Sequence, residues 1–209
     1  MKAGLVSICG ILDGSGSMSS VADEVVRGWN KFINDQREQA GECDVSLYAF
    51  STEIKKVLFR RDLSRVQDLR RGEYYMGNST ALYDAIGTAV TQLDKSLSYD
   101  TDDNKPEKII VYIQTDGEEN ASGRFSLLQL KRMIAEYEAR GNWEFLFIGM
   151  GIDAKREGAK FGIRADNILE VSRNGEGNQT MYAAVGSYTS AIRSGDYTRK
   201  FGSVIGLNQ

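Results

Sequence analysis

The sequence predicts an α/β fold, a three-layer Rossmann-like arrangement with helices on both faces of a mostly parallel sheet. Three features predict it. Short apolar runs alternate with longer amphipathic segments along the chain. The central runs, residues 5–12, 109–113 and 145–148, are apolar at nearly every position, as in strands covered on both sides. A single proline, Pro106, interrupts the chain, so long regular elements are permitted almost throughout.

Residues 5–12 read as the first strand. Its charged start at Lys2 and its apolar stretch resemble a leader, but Asp13 and a Gly-Ser turn follow at once, the pattern of a site rather than a cleavage point. Ser19 and Ser20 are candidate N-caps of a helix with Val21, Val25, Trp29 and Phe32 on one stripe, ended by Gly41. Cys43 to Phe50 alternates, with Val45, Leu47 and Ala49 on one face and Tyr48 and Phe50 on the other. Residues 53–59 follow across the short link Ser51-Thr52, which predicts a hairpin and one antiparallel pair. Leu63, Val66 and Leu69 suggest a short helix. From Thr80, the stripe Leu82, Ile86, Ala89, Leu93 and Leu97 predicts an amphipathic helix.

After a polar loop over 98–106, residues 109–113 form the clearest buried strand, which stops at Thr115-Asp116-Gly117. A helix carrying Leu127, Leu130, Ile134 and Tyr137 is closed by Gly141, and residues 145–148 form the next strand. A short helix near 153–161, a strand at 168–171 and a helix over about 178–192 complete the pattern. The expected domain spans residues 1–193, and 194–209 is a tail without assigned structure.

Of the 209 residues, 41% are hydrophobic and 26% charged, an ordinary globular profile sufficient for one full core. A net charge of -3 gives no overall attraction to phosphate backbones or anionic membranes, so neither nucleic acid nor membrane is an expected partner. Cys9 and Cys43 are expected to be buried, reduced thiols in a cytoplasmic protein, although a bridge is conceivable if their strands are neighbours. Histidine is absent. Imidazole is therefore removed from acid–base chemistry and metal ligation, leaving oxygen or sulfur donors.

In open α/β sheets, ligands bind outside the carboxyl ends of the strands where the connection direction reverses. Asp13 ends the first strand and Asp116 ends the best central one. Asp13-Gly14-Ser15-Gly16-Ser17 sets oxygen donors at alternate positions in a turn softened by glycine. Gly77-Asn78-Ser79-Thr80 brings a further hydroxyl to the mouth of a helix. Each piece alone is an ordinary turn or cap. Together, hydroxyls mixed with two carboxylates suit a hard divalent cation, which also relieves the repulsion between the acids. Met18, Tyr74, Tyr75, Met76, Glu118 and Glu119 are expected around that site.

These motifs resemble the von Willebrand factor type A domain with its metal-ion-dependent adhesion site. Asp13, Ser15 and Ser17 match the family's Asp-x-Ser-x-Ser motif, Thr80 its threonine loop, and Asp116 its aspartate turn. The likeness runs from Leu5 to about Ile192 and looks closest to small, free-standing bacterial or phage-type members. The resemblance implies six strands ordered 3-2-1-4-5-6 with strand three antiparallel. It implies direct ligation by Ser15 and Ser17, with Asp13, Thr80 and Asp116 acting directly or through water. It also implies Mg²⁺ as the usual ion, with Mn²⁺ fitting too, and a protein partner that supplies an Asp or Glu carboxylate.

Two other functions fit less well. A magnesium-dependent phosphate-processing enzyme also begins with an acid at a strand end. However, no Gly-x-x-x-x-Gly-Lys-Ser/Thr loop is present, and Ser15 stands where a second aspartate would be needed. A dinucleotide site would require Gly-x-Gly-x-x-Gly, and Gly14 and Gly16 are followed by Ser19. A structural or assembly protein with a stabilising metal is the remaining alternative.

Overall fold

The computed structural model describes residues 1–74 and 77–204. Six strands form one sheet: β1 (Lys2–Asp13), β2 (Cys43–Phe50), β3 (Ile54–Asp62), β4 (Pro106–Thr115), β5 (Trp143–Met150) and β6 (Ile168–Val171). Their order is β3-β2-β1-β4-β5-β6, with β3 antiparallel to β2 and every other pairing parallel. The helices are α1 (Ala22–Arg37), α2 (Leu82–Leu97), α3 (Leu127–Ala139), α4 (Ala154–Lys160), α5 (Gly175–Arg193) and α6 (Phe201–Val204).

The alternation of side chains along each strand divides the core into two layers. Val6, Ile8, Leu12, Val45, Leu47, Ile110 and Tyr112 face Trp29 and Phe32 of α1 and Met181, Val185 and Tyr188 of α5. Cys9, Ile11, Tyr48, Phe50, Val111 and Ile113 face the α2 stripe Leu82, Ile86, Ala89, Leu93 and Leu97, together with Leu130 and Ile134 of α3. Gly10 lets the first layer close: a Cβ there would lie 2.8 Å from the Tyr112 hydroxyl and 3.2 Å from the Trp29 ring. Cys9 and Cys43 are both buried and free. Burial pushes the Cys43 thiol up to about 12 and the Cys9 thiol higher still.

Several local readings are corrected. Ser19 and Ser20 do not cap α1; they lie within a 3₁₀ turn, Gly16–Val21, and α1 starts at Ala22 without a side-chain cap. Leu63, Val66 and Leu69 do not share one helix. Only Leu63–Arg65 makes a 3₁₀ turn, after which Val66 is extended (φ -69°, ψ 128°), although all three side chains are buried. The helix expected from Thr80 begins at Leu82, and α1 ends at Arg37, before Gly41. From the stretch read as a tail, Phe201 of α6 is fully buried, its ring edge-on to Tyr188 at 5.7 Å. Among the described residues no helix is long and apolar enough to cross a membrane.

Candidate metal centre

The order of the strands reverses between β1 and β4, which pair side by side and parallel, with Leu12 opposite Gln114. Their carboxyl ends therefore place Asp13 and Asp116 together at one edge of the sheet, as strand order requires.

Asp13 is fully buried. Its Oδ1 accepts the Ser15 backbone N–H at 2.7 Å and its Oδ2 accepts the Thr115 hydroxyl at 2.6 Å. Behind it, the buried Tyr74 hydroxyl donates to the Asp13 carbonyl and fixes the strand end. Burial pushes the Asp13 carboxyl up to about 6, against the hydrogen bonds from Thr115 and Ser15; the charge of Asp116 raises it further. Among the described residues no Lys or Arg forms an ion pair with it.

The 3₁₀ turn after β1 explains how two serines in series face the same point. The Met18 N–H donates to the Ser15 carbonyl at 3.0 Å, which tightens the chain. Ser15 and Ser17 then lie with their hydroxyls 3.1 Å apart. Both donate to Asp116 Oδ1, Ser17 at 2.7 Å and Ser15 at 3.4 Å. Gly14 and Gly16 do not adopt a positive φ. They serve close approach instead: Gly77 N donates to the Gly14 carbonyl at 2.8 Å, and a Cβ on Gly16 would sit 3.5 Å from the Gly77 carbonyl. Ser17 is exposed, while Ser15, Thr80 and Asp116 are buried.

Thr80 is held from both sides by Asn120. Its N–H donates to Asn120 Oδ1 at 2.9 Å, and Asn120 N donates to its carbonyl at 3.1 Å. A Cβ on Gly117 would meet the Thr80 hydroxyl at 3.4 Å, so Thr80 lies against the turn that carries Asp116. The loop after β4 also caps α2. Tyr83 N donates to Glu119 Oε2 at 2.9 Å, and Asp84 N to Ser122 Oγ at 3.0 Å. In return Asp84 accepts the N–H groups of Gly123, Arg124 and Phe125. Burial alone would raise the Asp84 carboxyl, but these N–H groups and the Arg124 charge leave it below its ordinary value.

All five residues read from the sequence, Asp13, Ser15, Ser17, Thr80 and Asp116, thus lie on three loops knitted together by hydrogen bonds. The surrounding residues divide differently from expectation. Met18 is fully buried in the core under the turn. Tyr74 supports Asp13 from behind, and Glu119 is used up as a cap. Glu118 is exposed and pairs with Arg156 at 2.5 Å. Tyr75 and Met76 lie outside the described residues. One neighbour has no forewarning in the sequence: Arg173 Nη1 donates to Asp116 Oδ2 at 3.1 Å.

Among the described residues no group of three or more His, Cys, Asp or Glu side chains is arranged to hold an ion. A cation here would depend on the three hydroxyls as well as the two acids. That all-oxygen donor set fits a hard divalent ion such as Mg²⁺ or Mn²⁺.

A doubly wound α/β domain with a polar, oxygen-rich site at its switch point is the class that fold and geometry define. The chain belongs to the von Willebrand factor type A domain family, whose model matches residues 8–182. No curated protein matches the sequence. Among solved structures, proximal thread matrix protein 1 from the mussel byssus is similar at 16% identity and a TM-score of 0.65, covering 90% of this chain and 47% of that one. A form of it with a zinc-occupied metal-ion-dependent adhesion motif matches at 14% identity and a TM-score of 0.62, with 90% and 46% covered. Manganese-loaded TRAP protein from Plasmodium vivax matches at 16% identity and a TM-score of 0.55, with 83% and 70% covered. The chain thus spans about half the length of the byssus protein, and at these identities the likeness is one of fold.

Proposed function

We propose that this chain is a protein-binding module whose affinity depends on a divalent cation, Mg²⁺ or Mn²⁺, at the edge of the sheet. Ser15 and Ser17 would ligate the ion directly, and Asp13, Thr80 and Asp116 directly or through water. An Asp or Glu side chain of the partner would complete its coordination. A bound cation supplies the positive charge that draws the partner's carboxylate into the site.

One observation carries this reading above the others. Asp13 is fully buried between hydroxyl and N–H donors, with no basic side chain of the described residues paired to it, and the serine hydroxyls and Asp116 converge beside it. A buried carboxylate without a countercharge is destabilising. A cation removes that penalty and the repulsion from Asp116 at once. The zinc-occupied motif of one similar structure and the manganese loading of another support the same reading. The exposed Ser17 leaves the site reachable from solvent.

The test is an affinity capture of partners in Mg²⁺, repeated in chelator and with Asp116→Ala. A partner retained in Mg²⁺ and lost in both other conditions is the expected result. Replacement of one specific acid on that partner should then be strongly non-additive with Asp13→Ala. Retention of the same partner in chelator, or additive losses, would contradict a contact made through an ion.

A further inference from the structure

Arg173 is the sole basic residue, among those described, within ion-pair distance of any of the five site residues. Its guanidinium holds Asp116 Oδ2 at 3.1 Å, while Oδ1 of the same carboxylate takes the two serine hydroxyls. The Asp116 side chain is completely buried, and that of Arg173 is 46% exposed. The guanidinium therefore lies over the acid from the solvent side.

The backbone beneath it is fixed on two sides. Gly151, in the left-handed region at φ +70°, packs so closely that a Cβ would lie 3.2 Å from Arg173 Cβ. The Gly151 N–H donates to the Val171 carbonyl at 2.8 Å, tying the end of β6 to the loop after β5. On the other side, Asn174 caps α5 by accepting the Gly177 N–H at 2.8 Å. A Cβ on Gly177 would lie 1.8 Å from the Ser172 carbonyl, so this turn tolerates nothing larger. The anchor is rigid and the long side chain has room to move into solvent. Arg156, the other arginine on this rim, is already neutralised by Glu118 and Glu157.

Building on the cation-dependent reading above, we propose that Arg173 is an internal competitor for the cation. Guanidinium and divalent ion are drawn to the same carboxylate and repel each other. Arg173 therefore lowers the affinity of the site for metal and leaves Asp116 as the metal is loaded. Two such charges a few ångströms apart near a protein surface interact strongly enough to change affinity on the order of tenfold. The released guanidinium stays at the rim, where it can meet the partner's carboxylate beside the ion.

The test is Mn²⁺ titration of the full chain, reading free Mn²⁺ by electron paramagnetic resonance, for wild type, Arg173→Gln and Arg173→Lys. Arg173→Gln should bind about tenfold more tightly, and Arg173→Lys, which keeps the charge, within about threefold of wild type. Unchanged or weaker binding by a folded Arg173→Gln would overturn the proposal while leaving the metal site standing. Failure of wild type and Arg173→Gln alike to take up Mn²⁺ would remove both readings. Should the variants not fold, the Arg173 side-chain N–H resonance in wild type provides the readout. It should move on Mg²⁺ addition, and a resonance that stays in place at saturation contradicts displacement.

Discussion

Two buried aspartates at opposite ends of the sheet show how differently this chain handles a carboxylate. Asp44 sits at the amino end of β2 opposite Ser7, whose hydroxyl donates to it at 2.5 Å, and Arg60 approaches within 3.7 Å. Arg60 is itself fixed by Asp100 at 2.6 Å and adopts a φ of +44°, strained for a residue with a side chain. The countercharge is thus delivered by the chain at some conformational cost. Burial still raises the Asp44 carboxyl, with Ser7 and Arg60 opposing the rise. Asp13, at the carboxyl end of β1, has a hydroxyl partner of the same kind in Thr115 but a second acid, Asp116, in place of an arginine. The fold can supply a cation of its own where a buried acid is purely structural. For Asp13, which no described basic side chain pairs, we propose that the solvent supplies it.

Four experiments break or sharpen this contrast. The largest effect should come from Arg60→Met, which leaves Asp44 buried without its countercharge. Denaturant unfolding should show a loss of about 3–4 kcal/mol, the same with Mg²⁺ and with chelator. A loss that Mg²⁺ reduces would mean that the two ends are not independent.

The second concerns pH. The folded, metal-free Asp13 carboxyl titrates near 6, above its ordinary 3.8, so the folded state binds this proton more tightly than the unfolded state. The resulting stabilisation is fully present below 3.8 and is lost as pH rises through 6. Over that window it amounts to about 3 kcal/mol, and Asp13→Asn should remove the dependence. Cation binding needs the ionised acid and should weaken below about 6. Equal pH profiles for wild type and Asp13→Asn would show that Asp13 is not strained in this way.

Third, Mg²⁺ at roughly 100 times its dissociation constant should stabilise the wild type by about 2.7 kcal/mol. Calorimetric melting should show the shift, and Asp13→Ala or Asp116→Ala should abolish it. The smallest effect belongs to Asn120→Ala. Loss of the side-chain half of the clasp on Thr80 should lower stability by about 1 kcal/mol and weaken metal binding, while Arg60 and Asp44 remain undisturbed. Metal affinity unchanged in that variant would place Thr80 outside the site.

The two acids were legible in the sequence because each ends a strongly apolar strand, and strand-end position follows from the fold class alone. Ser15 and Ser17 were legible because they alternate with glycines just after the first of those ends, and Thr80 because Gly77-Asn78-Ser79-Thr80 leads into an amphipathic helix. The support around them was not. Glu119 was expected near the site but not as a cap; it, Asn120, Ser122 and Asp84 act between segments distant in sequence, and only packing decides which of them touch. No motif in the sequence singles out Arg173, which follows the four-residue β6; its place beside Asp116 goes with the close approach at Gly151. The misreading of residues 63–69 has a geometric origin. Leu63, Val66 and Leu69 are all buried in one core layer, but the 3₁₀ turn stops at Arg65 and the chain is extended at Val66, so the apolar spacing does not mark a continuous helix. The serines at 19 and 20 have cap chemistry, but the turn that aims Ser15 and Ser17 at Asp116 continues through them.

Anomalous diffraction from crystals grown with MnCl₂ tests the central claim most directly, because it locates the ion without assuming its ligands. A single Mn²⁺ peak within about 2.3 Å of the Ser15 and Ser17 hydroxyl oxygens, flanked by Asp13, Thr80 and Asp116, is the predicted result. A saturated crystal with no peak between those side chains, or with its only ordered Mn²⁺ elsewhere on the surface, would contradict the account.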